Sequence, residues 1–516
     1  MSKDIKFGKK ARKKLSKGVQ KLTDAVSSTM GPMGKNVLIE REESKPHLTK
    51  DGVTVAHEVF FKDRIENMGA QIVKEVSANT AFEAGDGTTT STVLANAIFQ
   101  NGLKRLNEVN PVAMKRGMDK MVELVLEELK ENSREISDED IVNVATISAN
   151  GDREIGELIA KAISEVGRNG IITVEEASGD KDELEVTKGF EFNRGYLSPH
   201  FITNSERERA ELEDPFIMVV DGKVSQLITI LPILEKVQKT QRPLLIIAEE
   251  VEGEALSSII VNKMRGTLNV FAVKSPGFGL SKEEYLKDIS LVTGATLVSK
   301  ETGKSLEGLN LEDLGSADKV IITSGNTVIV SGHGDKEKIE EFVNKLESSK
   351  ENSTDIKTIE KRIARITGSA ATIKVGAQTE FEMAEKKDRF DDAVEATKSA
   401  ISEGIVIGGG CALIHASKIH NPFSGDAGVG AEIVLESILE PFKKILENAG
   451  FTNQEEIIEG IRDEEPEMIG FNAVTGELED LFESGVIDPL KVTRIALVNA
   501  NSIASTLLTT EVSITK

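Results

Sequence analysis

The sequence predicts an α+β multidomain chain. A helical domain is built from both termini, and an α/β domain is inserted through a small intermediate segment. Three observations carry this. Residues 1–130 and 403–516 read as largely helical. Residues 131–187 and 371–402 mix short helices with strands. Residues 188–370 alternate strand and helix, with strands expected at 215–220, 243–248, 268–274, 295–299, 318–323 and 326–331 and helices at 226–239, 253–265, 281–293 and 336–367. The last two strands flank Ser324-Gly325 and read as a hairpin. Matching character at the two ends suggests one domain assembled from both, with the centre inserted.

In chain order, Phe7, Ala11, Leu15, Val19 and Leu22 sit at helical spacing. The basic cluster Lys9, Lys10, Arg12, Lys13, Lys14 and Lys17 then reads as a solvated face, with nucleic-acid or targeting use as the alternative. Residues 29–34 break the helix, residues 37–39 read as a strand, and Asp51-Gly52 makes a second glycine turn. Residues 67–84 and 91–98 are helical. Between them stands Gly85-Asp86-Gly87-Thr88-Thr89-Thr90. A glycine turn that feeds a helix N-terminus suits a phosphate, because backbone N–H groups and the helix dipole face the anion. Asp86 would repel a phosphate unless a metal such as Mg²⁺ sat between them. The alternative is an ordinary turn with Asp86 as a helix cap. The turns at 31–34, 52 and 85–87 could serve one anion or be mere connectors. No Walker A pattern occurs.

The helix expected at 379–403 carries Asp391-Asp392, of which only one can face a given site. Residues 404–410 form another glycine loop, and residues 463–467 an acidic one. Residues 511–516 look strand-like and simply end. The helices at 226–239 and 253–265 are apolar on more than one side, which fits core or an exposed groove for other chains.

Composition narrows the class. The net charge of −23 argues against nucleic acid or an anionic membrane as a partner. The single cysteine, Cys411, can form no internal disulfide and reads as a small core residue. No apolar run suits a spanning helix and the start Met1-Ser2-Lys3 shows no signal peptide, so a cytoplasmic location is expected. No Cys/His cluster suggests zinc, and there is no Gly-x-Ser-x-Gly elbow.

Several stretches are specific enough to place the chain. Thr49-Lys50-Asp51-Gly52-Val53, Glu66-Asn67-Met68-Gly69-Ala70, Gly85 to Thr90, Thr146-Ile147-Ser148-Ala149-Asn150, Arg194-Gly195-Tyr196-Leu197-Ser198-Pro199, Lys274-Ser275-Pro276-Gly277-Phe278-Gly279 and Asp488-Pro489-Leu490-Lys491 resemble the group I chaperonins, the GroEL type, over nearly the whole chain.

The resemblance implies a GroEL-like fold. Residues 1–130 and 403–516 would form an equatorial ATP-binding domain, 131–187 and 371–402 an intermediate hinge, and 188–370 an apical substrate-binding domain. It implies ATP, Mg²⁺ and K⁺ as cofactors. Thr29, Met30, Gly31 and Pro32 would line the nucleotide. Gly85 and Asp86, Gly87, Thr88, Thr89 and Thr90 would hold the phosphates, with Asp86 on the metal. Gly409, Asn472, Ala473 and Asp488 would surround the sugar and base. Asp392 would position the attacking water with help from Asp51. Tyr196, Phe201, Leu231, Leu234, Leu256, Ile260 and Val261 would line the groove that captures non-native client proteins. A homo-oligomeric, heptameric ring and a co-chaperonin lid are implied as partners.

Departures from the family pattern stand beside this. Met33 replaces a usual lysine, His200 a tyrosine, and the Gly/Met-rich C-terminal tail is absent. Arg105-Leu106-Asn107-Glu108, Phe451-Thr452-Asn453-Gln454 and Lys443 alter stretches resembling ring-to-ring contacts, so a single ring is expected in at least one nucleotide state. A divergent copy, virus-encoded or paralogous, would explain these changes. The alternative to an ATP-driven folding ring is a holdase or scaffold with little cycling.

Overall fold

The computed structural model describes residues 4–40, 46–168, 170–177, 179–205, 207–349, 356–464 and 468–515. Most of the acidic loop at 463–467, and residues 1–3 and 516 at the ends, therefore lie outside the described residues. The chain divides into two compact units. The first comprises residues 1–164, 174–183 and 373–516, and the second residues 165–173 and 184–372.

The first unit is helical and draws on both ends of the chain. Helix Leu490–Thr509 packs on Thr88–Arg105, and Gly425–Ser437 on Pro111–Glu131. Glycines set the approach distances. A Cβ on Gly117 would lie 1.9 Å from the carbonyl oxygen of Ala427, and one on Gly430 2.0 Å from that of Met114. The same device joins Gly8–Ser27 to Arg64–Ala84, where Gly18 meets the Glu66 carbonyl and Gly69 that of Leu15. Backbones this close leave no gap, and Val19, Leu22, Leu94, Phe99, Met118 and Leu497 close the core around them. Cys411 is buried in this core, and burial pushes its thiol up to about 12, as befits a packing residue.

Two expectations at the termini change. Residues 4–7 form a strand instead of helix, and the strand-like C-terminus does not simply end. Asp4–Phe7 pairs antiparallel with Val512–Thr515. Phe7 is thus exposed on this ribbon and no part of the first helix's apolar stripe.

The second unit is α/β. Strands Phe216–Val224, Leu244–Val251 and Val270–Lys274 run parallel. Gly315–Ile322 and Thr327–Gly332 make the expected hairpin, which continues to Glu183–Phe192. Central strands read as continuous apolar runs because both faces are covered, as Leu244 to Ala248 are, all fully buried. The strand expected at 295–299 is only an isolated bridge, Val298 to Val220. The helix expected at 336–367 is two helices, Lys336–Ser349 and Ile356–Thr367, with residues 350–355 outside the described set.

Helix Ile356–Thr367 is docked by charge. Asp288 is fully buried and accepts from Arg362 (Nη2, 2.7 Å) and Arg365 (Nη2, 2.6 Å). Removing one partner of a buried pair typically costs ~3–5 kcal/mol, because the other charge is left uncompensated. Asp288→Ala is therefore expected to lower the unfolding free energy of this unit by about that much, read by circular dichroism in urea. An unfolding free energy within ~0.5 kcal/mol of the parent would show that the cluster is dispensable.

Candidate functional site

Local chemistry decides how the helices of the first unit begin. Several are capped by side chains. Asp63 accepts from the N–H groups of Ile65 and Glu66, Asn110 from Val112 and Ala113, and Ser137 forms a capping box with Asp140. Helix Thr88–Arg105 differs. Its N-cap is Gly87, left-handed at φ 83°, which brings no side chain to the first-turn N–H groups. Asp86 does not cap this helix. Its Oδ1 accepts from the N–H of Gly87, and its Oδ2 from Ser148 Oγ at 2.6 Å. The ordinary capped turn is thereby excluded.

This open helix end faces a cavity of about 330 Å³. The three glycine turns meet there, since Gly31, Gly52 and Gly87 all line it. Gly52 must be glycine, because a Cβ would lie 2.3 Å from Thr89 Oγ1. Thr29, Met30, Pro32, Asp86, Thr88, Thr89, Thr90, Gly409, Asn472, Ala473 and Asp488 line the same cavity, as do Asp51 and Asp392. Every expected nucleotide and catalytic residue but one is thus brought to one place. The exception is Gly85. It ends helix Arg64–Ala84 at φ 76°, packs against Glu395 and is no part of the lining.

Each wall has its own character. Met30, Val93 and Ile445 form a small apolar cluster with Ala473 against it, a surface suited to a flat ring. Opposite stands one face of helix Glu380–Glu403, where Glu385, Asp388, Arg389 and Asp392 recur at helical spacing. Asp391 points the other way and is buried. Asp51 is already engaged as an N-cap, accepting from the N–H groups of Val53 and Thr54 and from Thr54 Oγ1 at 2.6 Å.

Asp488 closes the floor. Burial and the neighbouring Asp86 carboxylate push it up to about 7, while the N–H groups of Gly409 and Gly410 pull it down. No group of three or more His, Cys, Asp or Glu among the described residues forms a metal cage. A carboxylate that raises the proton affinity of its neighbour nevertheless suits a cation whose remaining ligands are phosphate oxygens and water, the usual mode for Mg²⁺.

Some lining residues were not foreseen, among them Lys50, Ser148, Asn150 and Arg389. Their signals were available: Lys50 and Ser148 lie inside family motifs, and Arg389 is three residues before Asp392. Met33 is half exposed and does not line the cavity, so the cations of the wall are Lys50 and Arg389.

Of the residues expected in the groove, two do not reach the surface. Phe201 and Leu234 are sealed in the core of the second unit, at 0% and 1% exposure. The hydrophobic pattern of their helices and loop could not say which apolar side faces inward. Tyr196, Leu231, Leu256 and Ile260 are half-buried, and Val261 is exposed. On these two helices the outward apolar residues are Val261 with Ile228 and Met264, the latter two about two-thirds exposed (66% and 65%).

The TCP-1/cpn60 chaperonin family matches residues 22–516. The chain belongs to this family. The match bears out the resemblance drawn from the sequence. Among solved structures, this chaperonin is similar to chaperonin gp146 from the bacteriophage EL 2 (Pseudomonas aeruginosa) in presence of ATP-BeFx. Crystal form II matches at 25% identity, covering 99% of this chain and 98% of that one, with a TM-score of 0.66. Crystal form I, at 24% identity, 99% coverage of both chains and a TM-score of 0.62, supports the fold.

The Asp488 geometry makes the chaperonin's stability depend on pH. An acid whose folded pKa is raised leaves the native state holding a proton that the unfolded chain has lost. Stability is therefore given up as pH rises from the ordinary carboxylate value towards 7. Asp488→Asn is expected to melt a few degrees above the parent at pH 8 without nucleotide or divalent cation, and level with it near pH 4. Calorimetry at the two pH values checks this; a gap that widens on acidification would contradict it.

Proposed function

We propose that this chaperonin binds ATP with Mg²⁺ and K⁺ in the cavity and hydrolyses it, and that the cycle drives folding of non-native proteins inside a homo-oligomeric ring. The reading rests above all on the uncapped N-terminus of helix Thr88–Arg105, with Asp86 beside it and the apolar cluster of Met30, Ile445 and Ala473 in the same cavity. That gp146 was crystallised in the presence of ATP-BeFx supports it.

In this reading the first-turn N–H groups and the hydroxyls of Thr88, Thr89 and Thr90 bind the phosphates. Asp86 would hold Mg²⁺, whose charge offsets that of the phosphates. Met30, Ile445 and Ala473 hold the base, and Asn472 and Asp488 orient the sugar. Asp392 orients the attacking water and takes its proton, a role worth ~10²–10⁴-fold in rate. Asp51 acts mainly by fixing the turn beside Gly52. Residues 131–187 and 371–402 serve as the hinge, and 188–370 as the apical domain. Val261, Ile228 and Met264 offer clients an apolar surface, with half-buried Tyr196, Leu231, Leu256 and Ile260 behind it. A cytoplasmic site of action supplies the ATP.

Asp392→Ala is expected to bind ATP with near-parental affinity and to hydrolyse it at least ~10²-fold more slowly. Isothermal titration with a steady-state phosphate assay separates the two effects, and parental turnover in the variant would sink the role of Asp392. Recovery of a denatured client with and without ATP distinguishes a folding cycle from a holdase, which shows no ATP-dependent yield.

Ring number follows from the altered contacts. Arg105 is engaged within its own chain by Glu432 (2.8 Å) and Glu436 (2.5 Å), and Lys443 by Glu455 (2.7 Å). We propose that these charged surfaces weaken contact between rings enough for single rings to dominate in at least one nucleotide state. Electron microscopy of particles without nucleotide, with ADP and with an ATP analogue reads this out; double rings alone in every state would refute it.

A further inference from the structure

We infer that Ser148 is a positioning residue for Asp86: its hydroxyl holds the carboxylate in the orientation from which it takes the cation that accompanies the nucleotide phosphates. This rests on the nucleotide-site reading above and assigns a role to a motif, residues 146–150, that the reading leaves unused.

Ser148 is the last residue of helix Asp138–Ser148. Its Oγ donates to Asp86 Oδ2 at 2.6 Å, across 62 positions of sequence, while the N–H of Gly87 donates to Oδ1. Each carboxylate oxygen therefore has a donor on it, and two held oxygens set the plane of the group. A carboxylate has about four acceptor sites, more than these two donors take.

The bond is made in preference to a local one. Hydroxyls in the last turns of helices commonly donate back to the carbonyl four residues earlier. Thr146, two residues before, does this with Val142 O at 2.7 Å. Ser148 reaches for Asp86 instead. The backbone beyond it is shaped to the same end. Asn150 and Gly151 are both left-handed, at φ 59° and 87°, and the corner they make lines the cavity together with Ile147 and Ser148. A non-glycine residue in that region is uncommon and is held there by its surroundings. Asp152, next in sequence, accepts from Arg389 Nη1 at 2.9 Å. The corner is thus lashed on one side to the helix that carries Asp392 and on the other to Asp86. Displacing it would disturb the metal ligand and the water-orienting acid together.

A side chain that orients a metal ligand typically contributes 10–100-fold to metal affinity. The test measures ATP binding as a function of free Mg²⁺ for the parent, Ser148→Ala, Ser148→Thr and Asp86→Asn, alongside binding in EDTA. For Ser148→Ala the Mg²⁺ concentration at half-effect is expected to rise about tenfold or more, with affinity in EDTA and melting temperature close to the parent. Ser148→Thr, which keeps the hydroxyl, is expected to restore the parental value. Should Ser148→Ala fail to fold, Ser148→Cys keeps the size with a weaker donor and is expected to shift the half-point in the same direction. An unchanged half-point in Ser148→Ala, or in Ser148→Cys where that stands in, while Asp86→Asn shifts it, would overturn the role of Ser148 and leave the nucleotide site intact. No shift in Asp86→Asn would overturn the metal assignment, and Ser148 with it.

Discussion

Gly87 is the constraint on which the cavity depends. It begins a helix in the left-handed region at φ 83°, where a Cβ would meet Val492 at 2.6 Å. Only glycine satisfies both conditions. Because it carries no side chain, the first-turn N–H groups of an 18-residue helix are not taken by the chain's own cap. Two residues earlier Gly85 ends the preceding helix, also left-handed, and packs on Glu395. The chain therefore reverses between two long helices with one side chain at the apex. That side chain is Asp86. Its position is dictated by the glycines around it before any interaction of its own is counted.

The fold was legible where periodicity is long. Helices near 67–84 and 379–403, the glycine turns, and the helical domain drawn from both ends all follow from patterns of ten residues or more. What escaped was short or relational. The ribbon of Asp4–Phe7 with Val512–Thr515 joins two four-residue strands about 500 positions apart, and neither is long enough to announce itself. The site was legible as separate glycine loops. Their convergence was not, because it is enforced by close contacts such as Gly52 against Thr89. Nor could spacing alone choose between Asp391 and Asp392. The choice is made by which side of the helix the core occupies.

The second unit shows the same limit in apolar form. Leu227–Gln238 and Gly253–Met264 are apolar around much of their circumference. Such a helix can bury one side and show the other, and the sequence cannot say which. The structure puts Ile230, Ile233, Leu234 and Val237 inward and leaves Ile228 outward. On the second helix Ala255 and Ile259 go in, and Val261 and Met264 stay out. Phe201 follows the inward set through its contact with Phe271, ring centroids 6.0 Å apart. The exposed residues are thus those the core did not need, and on the proposed reading they are the ones a client would reach at no cost in unfolding.

Charge gives the site its direction. The cavity is lined by Asp51, Asp86, Asp392 and Asp488, with Glu385 and Asp388 beyond, yet the ligand proposed for it is an anion. A helix N-terminus carries only about half an elementary charge. Of the two lining cations, Arg389 is already paired with Glu385 and Asp152, which leaves Lys50 to act more directly. On the proposed reading such a wall disfavours a bare nucleotide and favours one that arrives with its metal. The acids are not equivalent. Asp51 has both oxygens engaged by its own helix. Asp488 is pushed up towards 7 by burial and by its neighbour. Asp392 sits on a different helix. Asp86 is held at both oxygens beside the open helix end, by the N–H of Gly87 and the hydroxyl of Ser148, so a divalent cation placed there would meet an oriented charge and adjoin the phosphates at once. The discrimination between free and metal-bound nucleotide would then originate in that one carboxylate and in the groups that hold it still.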